Sequence, residues 1–184
     1  MDSINPKTYQ RWRERGIYDS VSVIYRCYLD WLESQNDPEQ RRGPGRTCLS
    51  ALQSGKMGTI KERINDSEGC GGVMRTAPVG LAFPSDRAFQ EGAEYAAITH
   101  GHSSGYLTAG FIAAMIPSII EGKTLVEAIK LCIGQLIKYD GYGETLKKIE
   151  LAQKLSVSQK SPEESIQIIG EGWVGEEVLV ISLY

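Results

Sequence analysis

Nowhere in the 184-residue sequence do apolar and polar residues alternate with period two for long enough to mark a half-buried strand. No apolar run approaches the roughly 20 residues of a membrane span, and the N-terminus lacks the charged-then-apolar pattern of a secretory signal. Basic residues are not in excess: 20 Lys and Arg stand against 23 Asp and Glu, a net charge of −3. The positive surface that nucleic-acid binders rely on is therefore missing. These absences predict a cytoplasmic protein with neither nucleic acid nor a membrane as partner. An acidic balance still leaves room for one local anion site, because backbone amides form such sites without side-chain charge. The four cysteines, Cys27, Cys48, Cys70 and Cys132, include no C-x-x-C pair and have no histidine at metal-ligand spacing. Reduced, mostly buried thiols are expected at 27, 48 and 132.

What is present reads as helix. A 41% hydrophobic and 23% charged composition is that of an ordinary globular protein, and the length suits one domain, residues 1–184, with a single core. Asn5-Pro6 pairs a cap with proline at the first helical position and opens a short helix that Gly16 closes. From Asp19 on, Val21, Ile24, Tyr25, Tyr28 and Leu32 recur at steps of three and four, predicting a helix with one buried stripe that ends near Gln35. Residues 36–46 are polar and turn-rich, residues 47–53 fit a short helix stopped by Gly55, and residues 54–72 read as an irregular, glycine-rich loop. Ser85 is placed to cap a helix running through Phe89, Tyr95 and Ile98 to His100. Residues 105–120 are nearly all apolar or small, which predicts a central buried helix with Pro117 near its end. Thr124-x-x-Glu127 and Ser161-Pro162-Glu163-Glu164 are capping boxes, and residues 142–155 show another helical period. From Gly175, Glu176-Glu177 suit the positive end of a last helix. That helix runs apolar to Tyr184 with no glycine, asparagine or basic residue to finish it. The fold expected from these periods is all-α.

The stretch with most chemical content is Asn65-Asp66-Ser67-Glu68-Gly69-Cys70-Gly71-Gly72-Val73-Met74-Arg75-Thr76-Ala77-Pro78-Val79-Gly80-Leu81. Three glycines in four positions free the backbone for positive φ and for close approach of a ligand. Successive N–H groups in such a loop cradle anions, with a following helix N-terminus to complete the site. Composition alone favours the plainer reading of a tight turn. No strand precedes the loop, so it is not a dinucleotide-binding fingerprint. Gly122-Lys123-Thr124 is not a phosphate loop either, since Pro117 occupies the place of its first glycine and a helix comes before it.

The string GCGGVMRTAPVGL, residues 69–81, resembles the signature of the ADP-ribosylglycohydrolase family, which includes the dinitrogenase-reductase activating glycohydrolases. GRTCLSAL (45–52) is similar to the segment before that loop, and AAITHGHSSGYLTAGFIAAMI (96–116) to the helix–His–helix unit after it. GEGWVGEEVLVISLY (170–184) resembles a further family segment, so the likeness covers nearly the whole chain from about residue 8. The resemblance implies the family's all-α fold, a compact orthogonal multi-helix bundle that is here incomplete at both ends and self-associates through exposed apolar ends, and hydrolysis of the glycosidic bond between ADP-ribose and an acceptor side chain or small molecule. Its implied partner is ADP-ribose or an ADP-ribosylated substrate. By match to the family's motif, the loop from Ser67 through Gly69 to Val73 wraps the ADP-ribose. Gly71, Gly72 and Val73 then offer amides to phosphate and ribose oxygens, Ser67 lies near the adenine or its ribose, and His100 faces the nucleotide. Cys70 stands where the family often has asparagine, which removes a side-chain hydrogen bond, and nothing marks it as a nucleophile.

Several residues have plainer readings beside these. His100 is also placed to serve as a cap partner or a compensating charge at a helix C-terminus, and His102 reads as solvated or structural. Arg75 is open to two roles, a phosphate partner or half of an ion pair that holds the loop. Tyr139 and Tyr142 have rings that suit a base, although packed core positions fit them better. The family's hydrolysis further implies Mg2+ or Mn2+, held by a Thr-Asp-Asp segment upstream and an Asp-x-Asp-Ser/Thr segment downstream. The sequence has neither two adjacent aspartates nor an Asp-x-Asp pair, and Asp66 and Glu68 do not rebuild such a set. No catalytic residue and no metal ligand is therefore assigned, and the chain alone is expected to be inactive. Two other functions stay open: a non-catalytic ADP-ribose-binding protein and a helical partner-binding module.

Overall fold

The computed structural model describes residues 19–184, so the helix expected after Asn5-Pro6 lies outside the described residues. Nine α-helices and one 3-10 turn form the regular structure of this part. They are α1 (Ser20–Ser34), α2 (Arg46–Gln53), the 3-10 turn (Val73–Arg75), α3 (Ala77–Ala82), α4 (Ser85–Ala97) and α5 (Ser103–Ile120), then α6 (Leu125–Leu136), α7 (Gly143–Ser156), α8 (Pro162–Ile169) and α9 (Gly175–Leu183). The only strand-like feature among the described residues is an isolated antiparallel bridge between Gly69 and Val174. The fold is all-α, as the missing period-two alternation predicts.

Burial puts α5 at the centre. Leu107, Ala109, Phe111, Ala113 and Ala114 have no exposed surface, and α3, α4, α6, α7, α9 and the 3-10 turn all pack on this helix. By length and composition α5 could cross a membrane, but 78% of it is covered by protein, so its apolarity is that of a core helix. Its partner α4 lies against it through small residues. A methyl group on Gly92 would stand 2.7 Å from Ala113 Cβ, and one on Gly110 would stand 2.6 Å from the Phe89 carbonyl oxygen. Pro117 has no N–H to give the Ala113 carbonyl, and α3 fills that side: a methyl on Gly80 would lie 2.5 Å from the same oxygen. Phe89, Leu107, Leu136, Ile149 and Leu179 join α4 to α7 and α9 in one core, while α1 and α2 add a second with Ile24, Leu52, Tyr95 and Ile98.

Local signals set most helix starts. Asp19 Oδ1 accepts the N–H of Val21, and both capping boxes form, Thr124 with Glu127 and Ser161 with Glu164. Ser85 differs. Pro84 occupies the cap position of α4, and the Ser85 hydroxyl, already inside the first turn, donates to Ala114 O of α5 at 3.0 Å. The helix also stops at Ala97 rather than at His100, and the N–H groups of Thr99 and His100 turn back to Ala96 O. Tyr139 stacks on Phe89 with ring centroids 5.2 Å apart, so it serves the core. The last helix is not an exposed stub: Leu179 and Val180 are fully buried and α9 packs on α5, α7 and α8. All four cysteines are free thiols, and burial pushes that of Cys132 up to about 12.

The glycines give a paired test. Gly110→Ala forces a methyl into the α4 backbone and is expected to cost about 1–3 kcal/mol. Nothing lies within 4 Å of the corresponding position on exposed Gly134 in α6, so Gly134→Ala should gain about 0.5–1 kcal/mol from helix propensity. Urea unfolding of both variants should show opposite shifts; shifts of the same sign would contradict the packing described.

Candidate nucleotide-binding site

One asparagine fastens the loop to the corner between α4 and α5. Asn65 Oδ1 accepts the N–H groups of Ser67 (3.0 Å) and Gly101 (3.1 Å), and its Nδ2 donates to Thr99 O at 2.9 Å. Ser67 Oγ accepts Gly69 N–H and lies 3.3 Å from Thr47 Oγ1 at the start of α2. On its other side the loop meets the entry to α9, where Cys70 N donates to Trp173 O (3.2 Å) and Gly175 N to Glu68 O (2.8 Å). Gly69, Gly71 and Gly72 do not adopt the positive φ expected of them. They are small because protein presses on them. A methyl on Gly72 would stand 2.6 Å from Gly105 O of α5, and one on Gly71 would stand 3.0 Å from His100 Cε1 and Nε2.

With the loop pinned, its donors can be counted. The N–H groups of Gly69 and Cys70 are used as described, and those of Met74, Arg75 and Thr76 turn back to Cys70, Gly72 and Val73 carbonyls. Between them, the N–H groups of Gly71, Gly72 and Val73 meet no acceptor among the described residues. Gly72 and Val73 are buried, Val73 being 7% exposed. Buried backbone N–H groups are almost always paired, and a run of successive free ones is the arrangement that holds anions. His100 lies directly beneath. It is 2% exposed, its Nδ1 is 2.9 Å from Thr99 Oγ1, and its Nε2 edge is turned toward Gly69 and Gly71 with no hydrogen-bond partner among the described residues. Burial, and then the nearby charge of Arg75, lower its pKa to about 4. A neutral ring does not supply a charge that compensates a helix dipole.

Over residues 8–184 the chain matches the family model for ADP-ribosylglycohydrolase. It belongs to that family. No curated protein and no solved structure matches it.

The six residues that the resemblance to the ADP-ribosylglycohydrolase family singles out are thus brought to one place, the loop and the corner under it. Their parts differ. Gly71, Gly72 and Val73 have free amides and His100 a free ring edge, whereas Ser67 and Gly69 bond to each other and shape the loop. Arg75 does not form the ion pair that was one of the two roles open to it. No carboxylate lies within ion-pair distance among the described residues. Its guanidinium donates inward to Thr99 Oγ1 (2.6 Å), Tyr95 O, Ala96 O and Cys48 Sγ, and it lies over the Tyr28 ring at 4.8 Å. His102 is structural: its Nδ1 caps α5 by accepting Ser104 N–H, and its Nε2 is 3.7 Å from Glu68. Ser104 Oγ in turn donates to the buried carboxylate of Glu176, with Glu144 3.2 Å away, which ties α5 to α9 and α7.

Asn65 and Thr99 were not singled out from the sequence. A signal existed for Asn65, since an Asn two residues before Ser67 can form an Asx turn by accepting its N–H. For metals the residues present do not fit. Among the described residues no three His, Cys, Asp or Glu side chains converge, and the paired aspartates that a hard-cation site would draw on are not in the sequence.

The state of His100 makes stability depend on pH. Its folded pKa lies below the ordinary 6.5. The stability of the neutral buried ring is therefore complete above about pH 6.5 and lost as pH falls toward 4, roughly 3 kcal/mol in total. Between about pH 7 and pH 4 the wild type should lose about that much more than His100→Gln in denaturant unfolding. Equal losses would show that the ring is not held neutral.

Proposed function

We propose that this protein binds ADP-ribose, free or attached to an acceptor, with diphosphate oxygens on the amides of Gly71, Gly72 and Val73 and an adjoining oxygen on His100 Nε2. The observation that carries this reading is the run of three unpartnered N–H groups, two of them on buried residues. Membership of the ADP-ribosylglycohydrolase family supports it, because the same residues fall in the loop that the family's motif assigns to ADP-ribose. The string GCGGVMRTAPVGL, which resembles the dinitrogenase-reductase activating members, is the segment that presents these amides. The donors are backbone and neutral imidazole, so they suit an anion in a protein whose net charge is −3.

Turnover is a separate matter. Cleavage of the glycosidic bond in this family calls on Mg2+ or Mn2+ held by aspartate-rich segments, and no such set is present in these residues. Binding without turnover is the function assigned to the chain on its own. Titration calorimetry with ADP-ribose in the presence of a chelator should give saturable binding, and adenosine, which lacks the phosphates, should bind at least about tenfold more weakly, the equivalent of one charge-assisted hydrogen bond. Gly71→Val, which drives a side chain toward His100, should lose a similar factor. Equal affinity for adenosine and ADP-ribose would contradict the phosphate assignment. Release of ADP-ribose from a modified arginine or serine peptide by the chain with Mg2+ would contradict the absence of turnover.

A further inference from the structure

Arg75 is half-buried, and no carboxylate lies within ion-pair distance of it among the described residues. Its strongest hydrogen bond, 2.6 Å, goes instead to the hydroxyl of Thr99. A hydroxyl has one proton and two lone pairs. Once Arg75 fills a lone pair, the proton has two acceptors in reach: His100 Nδ1 at 2.9 Å, and Ala96 O at 3.5 Å, the outer limit of a hydrogen bond. The shorter contact is the stronger. A neutral imidazole that accepts at Nδ1 carries its own proton on Nε2. That nitrogen is the one turned toward Gly69 and Gly71.

We propose that Arg75 is a positioning residue that, through the Thr99 hydroxyl, holds His100 as its Nε2–H tautomer, so that the ring presents a neutral donor beside the free amides of Gly71, Gly72 and Val73. This rests on the reading of the loop as an anion site. The opposite tautomer would aim a lone pair at the anion, and a protonated ring would sit buried next to the Arg75 charge. The relay disfavours the first, because it would leave the Thr99 proton only the 3.5 Å contact to Ala96 O, while burial and the positive charge of Arg75 oppose the second. It also accounts for an arginine that faces inward rather than toward the ligand: Tyr28, Tyr95 O, Ala96 O and Cys48 hold the guanidinium in the one place from which it reaches Thr99.

The sequence has only two histidines, so ring 15N spectra can decide the matter. His102→Asn leaves His100 as the single imidazole and keeps a good helix cap at that position. In this background the spectra should show the proton on Nε2. Thr99→Val removes the relay and should give a mixture of tautomers with ADP-ribose binding about tenfold weaker. Thr99→Ser should restore both. Arg75→Lys, which keeps a charge but not the forked donors, should move the tautomer in the same direction as Thr99→Val. A proton on Nδ1 in the parent, or an unchanged tautomer in Thr99→Val, would overturn the proposal. Should the parent show the Nε2 tautomer yet fail to bind ADP-ribose, the relay stands and the anion-site reading falls.

Discussion

Close approach of the loop backbone, residues 65–73, to the corner joining α4 and α5 is the constraint on which the site depends. Three hydrogen bonds from the Asn65 side chain fix the approach, and glycine at 72 and 105 makes it sterically possible. A net contribution of about 1 kcal/mol for each bond would be unremarkable alone. Here they act on one side chain and hold the loop and the turn carrying His100 in a single geometry. Relaxing this contact would move the free amides and the imidazole relative to one another.

The corner also explains why the amides stay free. Cys70 N–H is turned to Trp173 O on the α9 side, and Met74 N–H is turned back into the 3-10 turn. The three intervening groups meet no carbonyl among the described residues. The His100 ring lies below these amides, and the Arg75 guanidinium is joined to it through Thr99 Oγ1. The carboxylates of Glu176 and Glu144 act elsewhere, holding the N-terminus of α5 to α9 and α7.

Local chemistry made much of the fold legible in the sequence. Capping boxes at Thr124 and Ser161, the three-four stripe after Asp19 and the apolar run of α5 depend on near neighbours, and each appears as expected. Misreadings arose where a distant partner decided the outcome. Ser85 left its cap role because Ala114 O was in reach, and Arg75 found neutral acceptors on α4 instead of a carboxylate. The positive φ expected of the loop glycines is not found: their smallness answers the packing of Gly105 and His100, not a left-handed backbone. Asn65 and Thr99 escaped notice because their roles exist only once residues more than 30 positions apart are brought together, as the contacts from Asn65 to Thr99 and Gly101 show.

The central claim is that the Gly71, Gly72 and Val73 amides are the anion donors. It is tested most directly by following backbone 1H–15N resonances as ADP-ribose is added. The account predicts that these three amide protons move downfield together and become protected from solvent exchange at saturation, while the N–H groups of Gly69 and Cys70, already bonded within the protein, change little. Saturable binding that leaves Gly71, Gly72 and Val73 unshifted and unprotected would place the ligand elsewhere and contradict it.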